Sequence, residues 1–214
     1  MQIKREFCAE NYTDISRVVN AGVERIELCD NLAVGGTTPS YGVIAATARK
    51  IAKVAAKTGN KPTVLSVMIR PRGGDFVYND AELKIMATDI AAAKDAGARS
   101  LVFGVLDADN NLDVPAMREL MLLAGRTPVV CHMAFDYVND PSATLEQLID
   151  LGVSMILTHG APAGQPLGVD RIASLIQQAN GRIDLMIGGG ITADNFQEFA
   201  AATGAKYAHG TKII

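Results

Sequence analysis

The sequence predicts an α/β chain folded as a single TIM-type (β/α)8 barrel over residues 1–214, with the last helix missing or vestigial. Short apolar runs alternate with longer stretches of helical periodicity, and eight such runs can be counted. A glycine stands where each of the seven helical stretches stops, in the position where a left-handed cap tolerates few other residues. No GxGxxG follows the first apolar run, which removes the main support for an open dinucleotide-binding sheet, and no nucleotide cofactor is expected. Strands separated by helices at this spacing pair in parallel, because each crossover returns the chain to the same edge, and eight of them close the sheet.

The strands are read at residues 3–8, 25–29, 63–70, 100–105, 128–134, 154–158, 183–187 and 206–209. Between them the helical stretches end at Gly22, Gly59, Gly97, Gly125, Gly152, Gly181 and Gly204. The third, over residues 81–96, is typical: Leu83, Met86, Ile90 and Ala93 recur at the spacing of one buried face. Its start is marked by Asn79 with Glu82 three residues on, and that of the fifth by Asp140 before Pro141. Thr192, after a glycine run, is read as the cap of the seventh. Little chain follows the eighth strand, hence the missing last helix.

With 49% hydrophobic residues and no shift in composition, the 214 residues can bury one core. No apolar run reaches the ~18 residues of a membrane span, and the first residues lack the apolar stretch of a secretory signal, so a cytoplasmic location and no membrane partner are expected. A net charge of −3 with both signs interspersed offers no basic stripe for a nucleic acid and leaves an ion or a small molecule as the partner. Cys8, Cys29 and Cys131 are an odd set at wide spacings, which argues for reduced thiols over a disulfide framework.

In such a barrel the chemistry sits where the strands end. The first two strands each carry a Glu-x-Cys pair, Glu6/Cys8 and Glu27/Cys29, whose members share a face. If Glu6 and Glu27 occupy matching layers, Cys8 and Cys29 become neighbours across about 5 Å of strand spacing, and with Met68 they form a site suited to Cu(I). The same cysteines also read as small buried core residues. The third strand runs into Arg70-Pro71-Arg72-Gly73-Gly74-Asp75-Phe76, where Arg70, Arg72 and Asp75 are candidates for holding an anionic group, or else pair internally with the glutamates. All three histidines, His132, His159 and His209, stand at strand ends; His132, with Asp136 nearby in sequence, is the candidate acid or base. Cys131 must then face away from the interior. Gly189 and Gly190, ahead of a helix, could bring backbone N–H groups to a phosphate. Only Lys206 and Lys212 lie near a strand end, which argues against Schiff-base chemistry.

The ordered segments Glu6-Phe7-Cys8, Arg25-Ile26-Glu27-Leu28-Cys29-Asp30-Asn31-Leu32, Gly35-Gly36-Thr37-Thr38-Pro39-Ser40, the Met68-to-Phe76 loop, Val102-Phe103-Gly104, His132-Met133-Ala134-Phe135-Asp136, Ile156-Leu157-Thr158 and Gly188-Gly189-Gly190 resemble the CutC family across nearly the whole chain. The resemblance implies a TIM-type barrel, a cytoplasmic and homo-oligomeric protein, and Cu(I) association in copper homeostasis. The family's proposed copper ligands fall on Cys8 and Cys29. Met133 stands where the family usually has arginine, and His159 and Ala161 where serine and glycine are frequent. The other reading is a barrel enzyme acting on a small acidic or phosphorylated metabolite, with Glu6 or Glu27 as base, His132 as acid or base, and Arg70, Arg72, Gly189 and Gly190 on the anion.

Overall fold

In the computed structural model, which describes residues 2–162 and 164–214, eight parallel strands close into a barrel in sequence order. They are β1 (Lys4–Glu10), β2 (Arg25–Cys29), β3 (Val64–Met68), β4 (Ser100–Val102), β5 (Val129–Cys131), β6 (Met155–Thr158), β7 (Asp184–Ile187) and β8 (Tyr207–Gly210). The α-helices among the described residues number seven: α1 (Ile15–Asn20), α2 (Tyr41–Thr58), α3 (Asp80–Asp95), α4 (Val114–Ala124), α5 (Pro141–Asp150), α6 (Val169–Ala179) and α7 (Phe196–Thr203). After β8 no further helix forms, as the sequence predicts; Lys212 instead bridges in parallel to Thr192.

Helix ends follow local chemistry. Asn79 accepts from the backbone N–H groups of Ala81 and Glu82 while the Glu82 carboxylate returns to the Asn79 N–H, a complete capping box on α3. Asp113 and Asp140 cap α4 and α5, each with a proline in the first turn. The cap predicted at Thr192 is corrected: α7 begins later, behind Asn195, whose Oδ1 accepts from the Thr192 N–H. The residues from Thr192 to Asn195 are consumed by this turn. No helix among the described residues is long and apolar enough to cross a membrane.

Strand alternation divides the core in two. Phe7, Ile26, Leu28, Val67, Leu101, Cys131, Ile156 and Ile187 face outward against the helices. Cys8, Cys29, Met68, Val102, Val130, Met155, Leu157 and Met186 face inward and fill the barrel. β5 is shorter than the predicted 128–134 because the His132 side chain accepts from the Ala134 N–H and starts a 3-10 helix, Met133–Tyr137. That cap turns the chain across the barrel mouth just above the sulfur-rich interior.

Candidate active site at the carboxyl ends of the strands

The interior is polar at its centre. Glu6, 1% exposed, accepts from Arg25 Nε at 2.7 Å and from Ser66 Oγ at 3.3 Å, and its other oxygen lies 3.0 Å from His209 Nδ1. Arg25 also donates to Ser66 Oγ at 2.6 Å. Burial opposes ionisation of Glu6, but the Arg25 guanidinium and the His209 ring outweigh it and hold the carboxyl down at about 2. Both oxygens being engaged, Glu6 braces Arg25 and His209. It does not line the cavity described below.

The predicted layer match of Glu6 with Glu27 is corrected. The β1–β2 register sets Glu6 opposite Arg25, Cys8 opposite Glu27 and Glu10 opposite Cys29. A closed barrel needs strands that tilt and stagger, and the stagger moves β2 two residues past the expected register. The thiols meet through a carboxylate instead: Cys8 Sγ lies 3.4 Å and Cys29 Sγ 3.5 Å from the same Glu27 Oε2. His209 Nε2 is 3.6 Å from that oxygen. Donor atoms of Cys8, Glu27 and His209 all lie within 4.8 Å of one another, which is the span of a metal site. Met68 belongs to the same buried cluster. Gly36 backs it at φ +89°, and a Cβ there would sit 3.1 Å from Cys29 Sγ.

Charge within this group is uneven. The hydrogen bond with Cys29 and the His209 ring hold the Cys8 thiol well below its usual range against the opposing effect of burial. The same contact with Cys8, then burial, pushes Cys29 up. Burial pushes Glu27 up to about 8, with Cys8 and Glu6 adding to it and His209 opposing. Burial alone would lower His209, but Glu27, Cys8 and Glu6 together raise it well above the ordinary imidazole value. The group is therefore a proton-sharing cluster with Cys8 as its most acidic thiol.

Above it opens a cavity of about 470 Å³ at the carboxyl ends of the strands, lined by Cys8, Glu27, Met68, Arg70, His132, Gly189, Gly190 and Lys212 among others. Arg70 is held there by its backbone neighbours, donating from Nη1 to Val34 O and Gly36 O and from Nη2 to Gly74 O, with its guanidinium 4.8 Å from the Phe76 ring centroid. His132 uses Nδ1 to accept from the Ala134 N–H, so Nε2 carries the ring proton. Burial, with the Arg70 charge, pushes His132 down to about 3 and keeps it neutral. Five buried side-chain polar atoms among the described residues have no hydrogen-bond partner, and Glu27 Oε1, Arg70 Nε and His132 Nε2 are three of them. Each such atom costs about 1–3 kcal/mol in a closed core, so their concentration in one cavity marks the place built for something else.

A larger opening of about 800 Å³ lies at the opposite end of the barrel, near Gln2, Lys4, Glu24 and Tyr207. That is the face on which these barrels carry stability, and none of the partnerless atoms lines it. The carboxyl-end cavity is the candidate site.

Of the other residues singled out in the sequence, Arg72 and Asp75 stay outside. Arg72 pairs with Glu82 and with Asp75 at 3.0 Å and donates to the Val77 carbonyl, tying the loop to α3. Asp136 does not reach His132; it accepts from Thr158 Oγ1, from the His159 N–H at 2.9 Å and from the Gly160 N–H at 3.1 Å. His159 sets its ring nitrogens against the Gly188 and Gln165 carbonyls, a brace between loops. Gly189 and Gly190, both at φ +77°, do line the cavity, and a Cβ on Gly189 would strike His159 Nδ1 at 2.7 Å. Cys131 faces the outer core, where burial pushes its thiol to about 12.

Sequence reasoning gave no role to Arg25, weighed Lys212 for Schiff-base chemistry alone, and underrated His209. The signal for His209 was available: in a closed barrel the last strand pairs with the first, and the observed ladder sets His209 opposite Glu6.

The model of the CutC family matches residues 3–214. A CutC family protein of Streptococcus pyogenes is 48% identical over 214 residues, covering 98% of this chain and 99% of that protein. A human protein named copper homeostasis protein cutC homolog is 42% identical over 204 residues, 95% of this chain and 71% of its own length. The crystal structure of CutC from Streptococcus agalactiae superposes with a TM-score of 0.93 at 46% identity, covering 100% of both chains.

Proposed function

Because the chain belongs to the CutC family, we propose that it is a copper-handling protein of the cytoplasm that holds one Cu(I) ion on the thiolates of Cys8 and Cys29, with His209 as a third donor. The observation that carries this reading is the convergence of both thiols and His209 Nε2 on a single Glu27 oxygen. Cu(I) favours thiolate, thioether and imidazole donors, and the barrel interior gathers Cys8, Cys29, Met68 and His209 around Glu27. The family's copper association comes to this chain from the names its relatives carry.

Glu27 has a defined part in this reading. Thiol and imidazolium protons must leave when a soft cation binds, and a carboxyl beside all three donors, raised to about 8, can exchange them with the cavity. Its Oε1 has no partner, and the residue lines the cavity through which protons and the ion would pass. Reduced thiols, as in the cytoplasm, are required throughout; all three cysteines are free.

X-ray absorption on protein loaded with one equivalent of Cu(I) tests the donor set. The expected spectrum has a sulfur-dominated shell with an imidazole contribution that disappears in His209→Phe. A shell of oxygen donors, or a spectrum unaffected by Cys8→Ala, would dismiss the proposal.

A further inference from the structure

The cavity above the thiols is far larger than an ion requires. Its volume of about 470 Å³ falls in the range of pockets that enclose small organic molecules, roughly 300–1,000 Å³. We propose that it is the binding site of a small hydroxylated organic anion, a sugar acid or sugar phosphate, gripped by Arg70 Nε and His132 Nε2 at its anionic end and by Glu27 Oε1 at a hydroxyl.

The three gripping atoms have no protein partner, and their residues are 3%, 3% and 2% exposed. Glu6 and Asp136, buried nearby, are satisfied, whereas three of the five partnerless buried atoms among the described residues belong to residues that line the cavity. Two of the three atoms are N–H donors, one on a cation, and they call for an acceptor-rich group such as a carboxylate or phosphate. The third is a carboxyl oxygen, which calls for a hydroxyl on the same molecule. Arg70 is fixed by three carbonyls and His132 by its backbone cap, so both donors are already oriented before a ligand arrives. Lys212 at the mouth adds a second positive charge, and Gly189 and Gly190 keep that wall free of side chains. Leu32, Phe76 and Leu157 supply apolar walls for the carbon skeleton.

This inference is independent of copper and is tested on chelator-treated protein. Protein labelled with 15N-histidine is titrated with gluconate, glucose 6-phosphate, glucose and inorganic phosphate. Gluconate or glucose 6-phosphate should shift the His132 Nε2 resonance saturably, while glucose and phosphate, each lacking one half of the recognised group, should bind at least roughly tenfold more weakly. Whichever of the two anions binds more tightly assigns the head group. His132→Asn keeps an acceptor for the Ala134 N–H, while its shorter side chain leaves no donor at the Nε2 position; by calorimetry it should retain the fold and lose roughly tenfold or more in affinity. No saturable response to any of the four compounds, or an unchanged affinity in a folded His132→Asn protein, would overturn the proposal.

Discussion

Cys8 and Glu27 stand opposite one another in the β1–β2 ladder, and Cys8 Sγ lies 3.4 Å from Glu27 Oε2. A thiol and a carboxyl at that separation share a proton, and Cys29 and His209 join the same exchange. Cys29 and His209 are both shifted up, and Glu27 is pushed up to about 8, so protons occupy the site near neutrality. Cu(I) affinity should therefore rise with pH, by more than tenfold between about pH 6 and 8, as the ion competes with fewer bound protons. A competition titration at the two values checks this, and a flat profile would place copper elsewhere.

Glu6 supports the site from beneath. Its ion pair with Arg25 is buried, and removing one member leaves the other charge without its partner. Glu6→Gln should destabilise the metal-free protein by about 3–5 kcal/mol, read from urea unfolding. The sign with pH follows from the depressed carboxyl: stability is fully present above the ordinary value of 4.5 and is lost as pH falls toward about 2. The Gln variant should lack that part of the acid transition.

His132 acts in a neighbouring window. It is neutral in the fold, with a value of about 3 against 6.5 for a free side chain. Its contribution is complete above 6.5 and declines as pH drops toward 3, because the unfolded chain takes up a proton that the folded one refuses. In His132→Asn the fall in melting temperature between about pH 6.5 and 4 should be shallower than in the wild type. Equal slopes would mean that the buried ring does not set this part of the profile.

Gly36 offers a test of packing around Cys29. At φ +89° an alanine is strained, and its Cβ would press on Cys29 Sγ at 3.1 Å and on Met68 Cε at 3.6 Å. Gly36→Ala should cost about 1–2 kcal/mol in unfolding free energy and weaken Cu(I) binding through displaced sulfur. Gly59→Ala, also at positive φ but with nothing within 4 Å, provides the control that carries the strain without the crowding.

The barrel was legible because each of its signals is local. β2 occupies the residues its apolar run predicts, and the Asn79 box opens α3 where the sequence places it. Errors arose where local pattern yields to tertiary demand. β5 stops at Cys131 because the His132 side chain caps the next turn, and α7 starts behind Asn195 because the chain must first bond to Lys212. The site residues themselves were mostly visible as polar groups at strand ends. Their partnerships were not, since the stagger between β1 and β2 is a property of barrel closure and cannot be read from either strand alone. Thus Arg25 passed unnoticed, Arg72 looked available although Glu82 holds it, and the pairing of Glu6 with Glu27 proved to be one of Cys8 with Glu27.

An anaerobic Cu(I) competition titration on wild type, Cys8→Ala, Cys29→Ala and Cys131→Ala bears most directly on the proposed role. One equivalent should bind tightly to the wild type and to Cys131→Ala, whose thiol faces the outer core, and binding should weaken by at least roughly a hundredfold in Cys8→Ala. Cys29→Ala should fall in between. Equal affinity in all four proteins, or a loss confined to Cys131→Ala, would contradict a copper site at the Cys8–Glu27–His209 cluster.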